Sequence, residues 1–334
     1  EARWVVPVEP QGVVLEEHAL AIRQGCIVDL LPASLARHRY SARERVVLPH
    51  HVLMPGLVNL HTHAAMTLLR GYADDAPLAD WLSRHIWPAE ARHVGHEFVR
   101  DGSLLACAEM LRGGVTCFND MYFFPEATAE AALRLGMRAA LGILTIGFPS
   151  AYASDADDYL NKGLATRDAL RDQPLISFCL APHAPYTVSD ASLEKVATLA
   201  AQLDVPVHIH VHETRQEIGD SLRDHGVRPL ARLHRLGLLG PNLIAVHAVH
   251  LDQADIALLA DFGGKVAHCP VSNLKLASGI APVAELARAG VCVGLGTDGA
   301  ASNNRLDLFR EMNFAALLAK GCSGDAAVLG AHDV

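Results

Sequence analysis

The chain has 334 residues, 51% hydrophobic and 19% charged, enough to bury a large core and too apolar for a disordered segment. Its formal net charge is −9 and it has no Lys/Arg cluster, which argues against nucleic-acid binding through phosphate contacts. Seven scattered cysteines without a C-x-x-C pair suit reduced thiols in a cytoplasmic protein, and no apolar run reaches membrane-spanning length.

Residues 1–50 read as short β-segments separated by turn residues, with a hairpin over 18–31. This stretch is too small to fold alone and is expected to pack on the main domain. From residue 53 the pattern changes. Strands are predicted at 56–60, 115–118, 137–144, 175–180, 205–211, 243–247, 265–268 and 291–296. Amphipathic helical stretches lie between them, among others at 98–111, 127–135, 191–203, 229–236, 254–260 and 283–289, and one follows at 306–320. Strands alternating with helices predict a parallel α/β fold, and eight strands are the number that closes a (β/α)8 TIM-like barrel. An open doubly wound sheet is the alternative, but neither a G-x-G-x-x-G turn nor a G-x-x-x-x-G-K-[ST] loop is present.

A barrel demands that chemistry sit at the C-terminal ends of its strands. His61-Thr-His63 directly follows the apolar run that begins at Met54. In extended chain, residues two apart point the same way, so two imidazoles there can share one metal. On the fifth strand His208, His210 and His212 are expected to face the barrel interior together, which calls for polar partners or a metal. Spacing alone leaves His210 and His212 both open as the ligand, with His208 deeper and structural. Glu213 is a candidate proton donor or acceptor beside a metal. His247 ends the sixth strand as a further ligand or as a group that polarises water, and His250 is expected to lie outside the site. Asp298 ends the apolar, Gly-rich eighth strand, where a carboxylate is costly unless paired or metal-bound.

These residues resemble a known family. The motifs are Pro55-Gly-Leu-Val-Asn-Leu-His61-Thr-His63, Trp81-Leu through Ile86-Trp-Pro-Ala-Glu90, and Ala181-Pro-His183-Ala-Pro-Tyr186. To these add His210-Val-His-Glu213-Thr, His247-Ala-Val-His-Leu251 and Gly296-Thr-Asp298-Gly-Ala-Ala-Ser-Asn-Asn304. Together they resemble the amidohydrolase superfamily, in its cytosine/adenosine deaminase and triazine-hydrolase branch, nearest to the 5-methylthioadenosine/S-adenosylhomocysteine deaminases.

The resemblance implies one divalent metal ion, Zn²⁺ foremost, held by His61, His63, His210 and Asp298. It implies hydrolytic deamination of an adenine nucleoside to the inosine product and ammonia by metal-activated water. Glu213 would protonate the ring nitrogen, Asp298 would take a proton from the water, and His247 would orient the water. His183 would contact the purine and Glu90 the ribose hydroxyls. Trp81 and Trp87 read as packing residues. No Lys lies near His183 to bridge two metals, which favours a single-metal site. A small-molecule nucleoside is the expected partner and a homo-oligomer the expected state, with neither nucleic acid nor membrane engaged.

Two departures bear on this reading. Arginines expected after the third strand for a homocysteine tail are missing; residues 139–166 hold only Lys162 as a cation, with Asp155, Asp157 and Asp158. This favours methylthioadenosine or adenosine over S-adenosylhomocysteine. The chain also stops at Val334. The domain expectation is therefore residues 1–52 as the N-terminal part of a small β-sandwich-like domain and 53–334 as the barrel, with the C-terminal completion of the small domain missing at a cost in stability. The competing functions are a deaminase or chlorohydrolase acting on guanine, 8-oxoguanine, cytosine or a triazine, and a non-catalytic metal- or purine-binding barrel.

Overall fold

The structure, a computed structural model, describes residues 1–334, which divide into two compact units, 1–56 and 57–334. The first unit holds a four-stranded sheet of β1 (Ala2–Val5), β2 (Leu15–Arg23), β3 (Cys26–Pro32) and β4 (Leu48–Leu53), in the order β3-β2-β1-β4. β2 and β3 form the predicted hairpin. Gln24 and Gly25 both have positive φ, 50° and 78°, so the two-residue turn follows the right-handed twist of its strands. The helix Ala33–Arg39 was not anticipated, because seven residues carry too little periodicity to read.

The second unit is a (β/α)8 barrel. Its strands are β5 (Leu57–Thr62), β6 (Val115–Asp120), β7 (Arg138–Thr145), β8 (Ile176–Pro182), β9 (Val207–Val211), β10 (Leu243–His247), β11 (Lys265–His268) and β12 (Val293–Leu295). They pair in sequence order and in parallel. β9 shows why the sequence folds this way. All five of its residues are buried, as in a strand covered on both faces. Val207, Ile209 and Val211 join the apolar core with residues of the surrounding helices, such as Leu193, Leu230 and Leu233. That alternation leaves His208 and His210 facing inward.

Several of the remaining helices coincide with the predicted stretches to within a few residues, whereas Arg215–His225, Pro270–Lys275 and Ala300–Asn303 were not anticipated. Ala156–Leu170 is an addition, started by Asp155, whose side chain accepts from the amides of Asp157 and Asp158. Part of the acidic cluster after the third strand is therefore a helix cap. Between β5 and the helix His96–Arg112 the chain makes a long excursion of short helical turns, ending in the helix Trp87–His93.

β5 and β12 meet at the seam of the barrel. The Asn59 carboxamide takes the Thr297 N–H at 3.0 Å and donates to Thr297 Oγ1 at 2.8 Å, while the Asp298 N–H donates to the His61 carbonyl at 2.9 Å. Glycines make this approach possible. A Cβ on Gly296 would fall 2.8 Å from both Cβ and backbone N of His61, and one on Gly294 would fall 2.4 Å from Leu60 Cδ1. The Leu60 methyl can rotate away; the His61 backbone cannot. Gly296→Ala should therefore lower stability by about 1–3 kcal/mol, and more than Gly294→Ala does. Denaturant unfolding of the two variants tests this, and a Gly296→Ala protein as stable as the parent would disprove the close-packed seam.

Candidate active site

The ends of β5 and β6 are tied together. The Asp120 carboxylate accepts from Thr62 Oγ1 at 2.9 Å and from the Ala64 N–H at 2.7 Å. This fixes the turn from which His61 and His63 project. His63 Nδ1 then donates to the Met121 carbonyl at 2.5 Å, and His210 Nδ1 donates to the His183 carbonyl at 2.7 Å. With their Nδ1 atoms committed to carbonyls, both rings turn Nε2 inward. The Nε2 atoms of His61 and His63 converge on Asp298. Its Oδ1 lies 3.3 Å from Nε2 of His61 and 3.3 Å from Nε2 of His63. His210 Nε2 is 3.2 Å from His61 Nε2, and His61 Nδ1 contacts His208 Nε2 at 3.1 Å. His61, His63 and Asp298 form one potential metal-holding group, and His61, His210 and His247 another.

Buried lone pairs facing one another at such distances are unfavourable without a cation between them. Burial pushes the pKa of His61 down to about 4 and holds those of His208 and His210 well below the ordinary value, so protons do not fill that role near neutrality. The donor set of three imidazoles and one carboxylate fits a divalent ion such as zinc.

The pKa values of Asp298 and Glu213 are pushed in opposite directions. Burial alone would raise the Asp298 carboxyl, but its hydrogen bond with His61 leads the contacts that hold it well below the usual range. Ser272 Oγ and the Gly299 N–H donate to it at 2.6 and 2.7 Å. Burial raises the Glu213 pKa instead, only partly offset by His247. Glu213 accepts from Ser278 Oγ at 3.2 Å and lies 3.7 Å from His247 Nε2. Its main chain is pinned by Glu217, whose carboxylate accepts the amides of His212 and Glu213 at 2.9 and 2.8 Å. His247 Nδ1 pairs with Asn273 Oδ1 at 2.8 Å. Several strand ends turn through left-handed backbone, with φ of 57° at His212, 71° at His247 and 62° at Asp298. Strain of this kind concentrates at functional sites.

The expectation that His212 shares the inward face with His208 and His210 is corrected. β9 ends at Val211, and the left-handed turn at His212 breaks the alternation. The His212 ring instead accepts the Leu230 N–H at 3.0 Å and donates to the His250 carbonyl at 3.1 Å, leaving neither nitrogen free. His250 is bonded to the Ser278 carbonyl at 2.7 Å and does not line the cavity.

His63, His183, His210, Glu213, His247 and Asp298 line one wall of a cavity of about 310 Å³, with His61 buried behind them. Trp81, Leu82, Trp87, Phe148 and Leu276 supply much of the remaining surface. Trp81 and Trp87, expected as packing residues, also face this space. Glu90 reaches it from the excursion after β5 and accepts from the Tyr122 hydroxyl at 2.7 Å; burial raises its pKa to about 7. The lining includes neither Lys nor Arg. Asp120, Tyr122, Glu217, Ser272 and Asn273 were missed. For Asp120, Tyr122, Ser272 and Asn273 the available signal was polar residues just beyond the second and seventh strands, the position where a barrel places chemistry.

Comparison with known proteins places this geometry. The Amidohydrolase family profile matches residues 52–332. A 5-methylthioadenosine/S-adenosylhomocysteine deaminase of Teredinibacter turnerae is 53% identical over 332 residues, covering 99% of this chain and 75% of that protein. One so named from Saccharophagus degradans is 51% identical over 98% of this chain and 74% of its own length. The crystal structure of an adenosine deaminase from Xanthomonas campestris with bound zinc superposes with a TM-score of 0.94 at 53% identity, over 100% of this chain and 76% of that one. The zinc complex of atrazine chlorohydrolase from Arthrobacter aurescens gives 0.86 at 25% identity, over 97% and 76%. The chain belongs to the amidohydrolase family and is a hydrolase.

Proposed function

We propose that this hydrolase deaminates adenine nucleosides with an uncharged 5′ substituent, adenosine or 5′-methylthioadenosine, to the inosine product and ammonia. The observation that carries the reading is the overlap of two potential metal-holding groups at His61, one with His63 and Asp298 and one with His210 and His247, beside a Glu213 whose pKa burial raises, at a cavity of about 310 Å³. The relatives' names, deaminases of adenosine and of its methylthio and homocysteine derivatives, support the same substrate class.

His61, His63, His210 and Asp298 would hold one divalent ion, zinc being the best match to the donor set. When bound, such an ion supplies Lewis-acid activation of water near neutral pH. Asp298, kept anionic, takes the proton from the attacking water and passes it to the 6-amino group, which leaves as ammonia when the C6–N bond breaks. Glu213, whose pKa burial raises, gives a proton to the purine ring nitrogen, which opens C6 to attack. Two carboxyls with pKa values pushed apart thus divide the acid and base work. His247 orients the water between them. His183 contacts the purine, Glu90 accepts from the ribose hydroxyls, and the aromatic walls exclude bulk solvent.

A non-catalytic binder would have no use for two buried carboxyls with pKa values pushed in opposite directions. Conversion of adenine to hypoxanthine absorbance on addition of adenosine or methylthioadenosine is the direct test. Turnover only of guanine, cytosine or a triazine would overturn the substrate class. Glu213→Gln preserves shape and removes the transferable proton, so kcat should fall by about 10²- to 10⁴-fold with metal content unchanged. Full turnover by this variant would refute the proton-donor role. The cavity lining offers Leu82, Trp87 and Phe148 but neither Lys nor Arg, so the carboxylate of a homocysteine tail would go unpaired there. S-adenosylhomocysteine should therefore show kcat/KM at least about tenfold below methylthioadenosine. Equal values would contradict the apolar-tail assignment.

A further inference from the structure

Glu90 stands on the excursion between β5 and the helix His96–Arg112, away from the strand ends that carry the other site residues. Some side chains in this segment bond within it. Trp81 Nε1 donates to the Ala73 carbonyl at 3.0 Å, Ser83 to the Ala79 carbonyl at 2.7 Å, and Arg84 pairs with Asp80 at 3.2 Å. Others tie it to the barrel: Thr67 donates to the Gly102 carbonyl, Arg70 pairs with Glu109 and Asp74 with Lys275. The Glu90 carboxylate belongs to this second group. It receives the Tyr122 hydroxyl at 2.7 Å, from a residue just past the end of β6.

Tyr122 is itself firmly held. It is 5% exposed, and its ring packs edge-on against Phe123 at 5.1 Å. Its neighbours in sequence, Asp120 and Met121, anchor the Thr62–Ala64 turn and His63 Nδ1. One strand end therefore sets both the turn that carries His61 and His63 and the place of the Glu90 carboxylate. Because Tyr122 occupies Oε1, Glu90 is left with Oε2 to offer to a ligand, at a distance from the imidazole cluster fixed by rigid barrel backbone.

We propose that Tyr122 is a positioning residue for sugar recognition: its hydroxyl holds Glu90 so that one carboxylate oxygen meets the vicinal hydroxyls of the nucleoside. The proposal rests on the reading of Glu90 as the ribose-binding group. A residue that merely packs would lower turnover of all substrates alike, whereas a positioning residue acts only on substrates that carry the hydroxyls.

The experiment compares adenosine with 2′,3′-dideoxyadenosine in the parent protein, Tyr122→Phe and Glu90→Ala, with metal content and melting temperature followed in each. The expected result is a rise in KM for adenosine of about tenfold or more in Tyr122→Phe, with kcat and metal content little changed. The dideoxy substrate should be turned over alike by parent and Tyr122→Phe, and Glu90→Ala should abolish the preference for adenosine. If Tyr122→Phe slows both substrates equally or neither, the positioning role is overturned while a lost preference in Glu90→Ala leaves the Glu90 reading standing. If Glu90→Ala keeps the full preference for adenosine, both fall.

Discussion

The contact on which the site depends is the meeting of β5 and β12 at His61 and Asp298. The main-chain bond from the Asp298 N–H to the His61 carbonyl closes the barrel, and the side chains of the same two residues touch at 3.3 Å inside it. Fold closure and site assembly are one event. Gly296 permits the approach, Asn59 and Thr297 bond across it, and Asn303 extends the network by donating to the Thr297 carbonyl at 2.7 Å and to Glu311 at 2.6 Å. Glu311, buried on the last helix, also accepts the Val271 N–H at 3.1 Å. That bond steadies the short helix Pro270–Lys275, which presents Ser272 to Asp298 and Asn273 to His247.

This arrangement concentrates unfavourable interactions. Inward nitrogens without protons, two buried carboxyls and several left-handed strand ends would each destabilise an ordinary core. They persist because the surrounding main chain fixes them: carbonyls of Met121 and His183 orient the rings, and Asp120 and Glu217 clamp the turns. A cation among the donors would offset the lone-pair repulsion, so that binding the ion and stabilising the barrel would be linked.

Much of this was legible in the sequence. Eight alternating strands with polar tips gave the barrel, and the tips of the first, fifth, sixth and eighth strands gave His61, His63, His210, Glu213, His247 and Asp298. Spacing left His210 and His212 both open and only the resemblance pointed to His210, because the difference turns on the left-handed backbone at His212, directly after the strand ends. Strand periodicity carries no information about where a strand stops. The supporting residues were hidden for another reason. Asp120, Glu217 and Asn273 act through hydrogen bonds to partners on other segments or to the main chain, and such bonds leave no local pattern. The small helix at 33–39 and the capping role of Asp155 were lost in segments too short or too polar to show a period.

The central claim is that His61, His63, His210 and Asp298 hold one divalent ion while His212 does not. Metal content per chain, measured by elemental analysis on the parent protein and on His210→Ala and His212→Asn, tests it most directly. Asn tolerates the left-handed backbone at position 212, so the second variant keeps the turn. The account predicts one ion per chain in the parent and in His212→Asn, and its loss in His210→Ala. A parent that binds no ion, or an ion lost from His212→Asn but kept by His210→Ala, would contradict it.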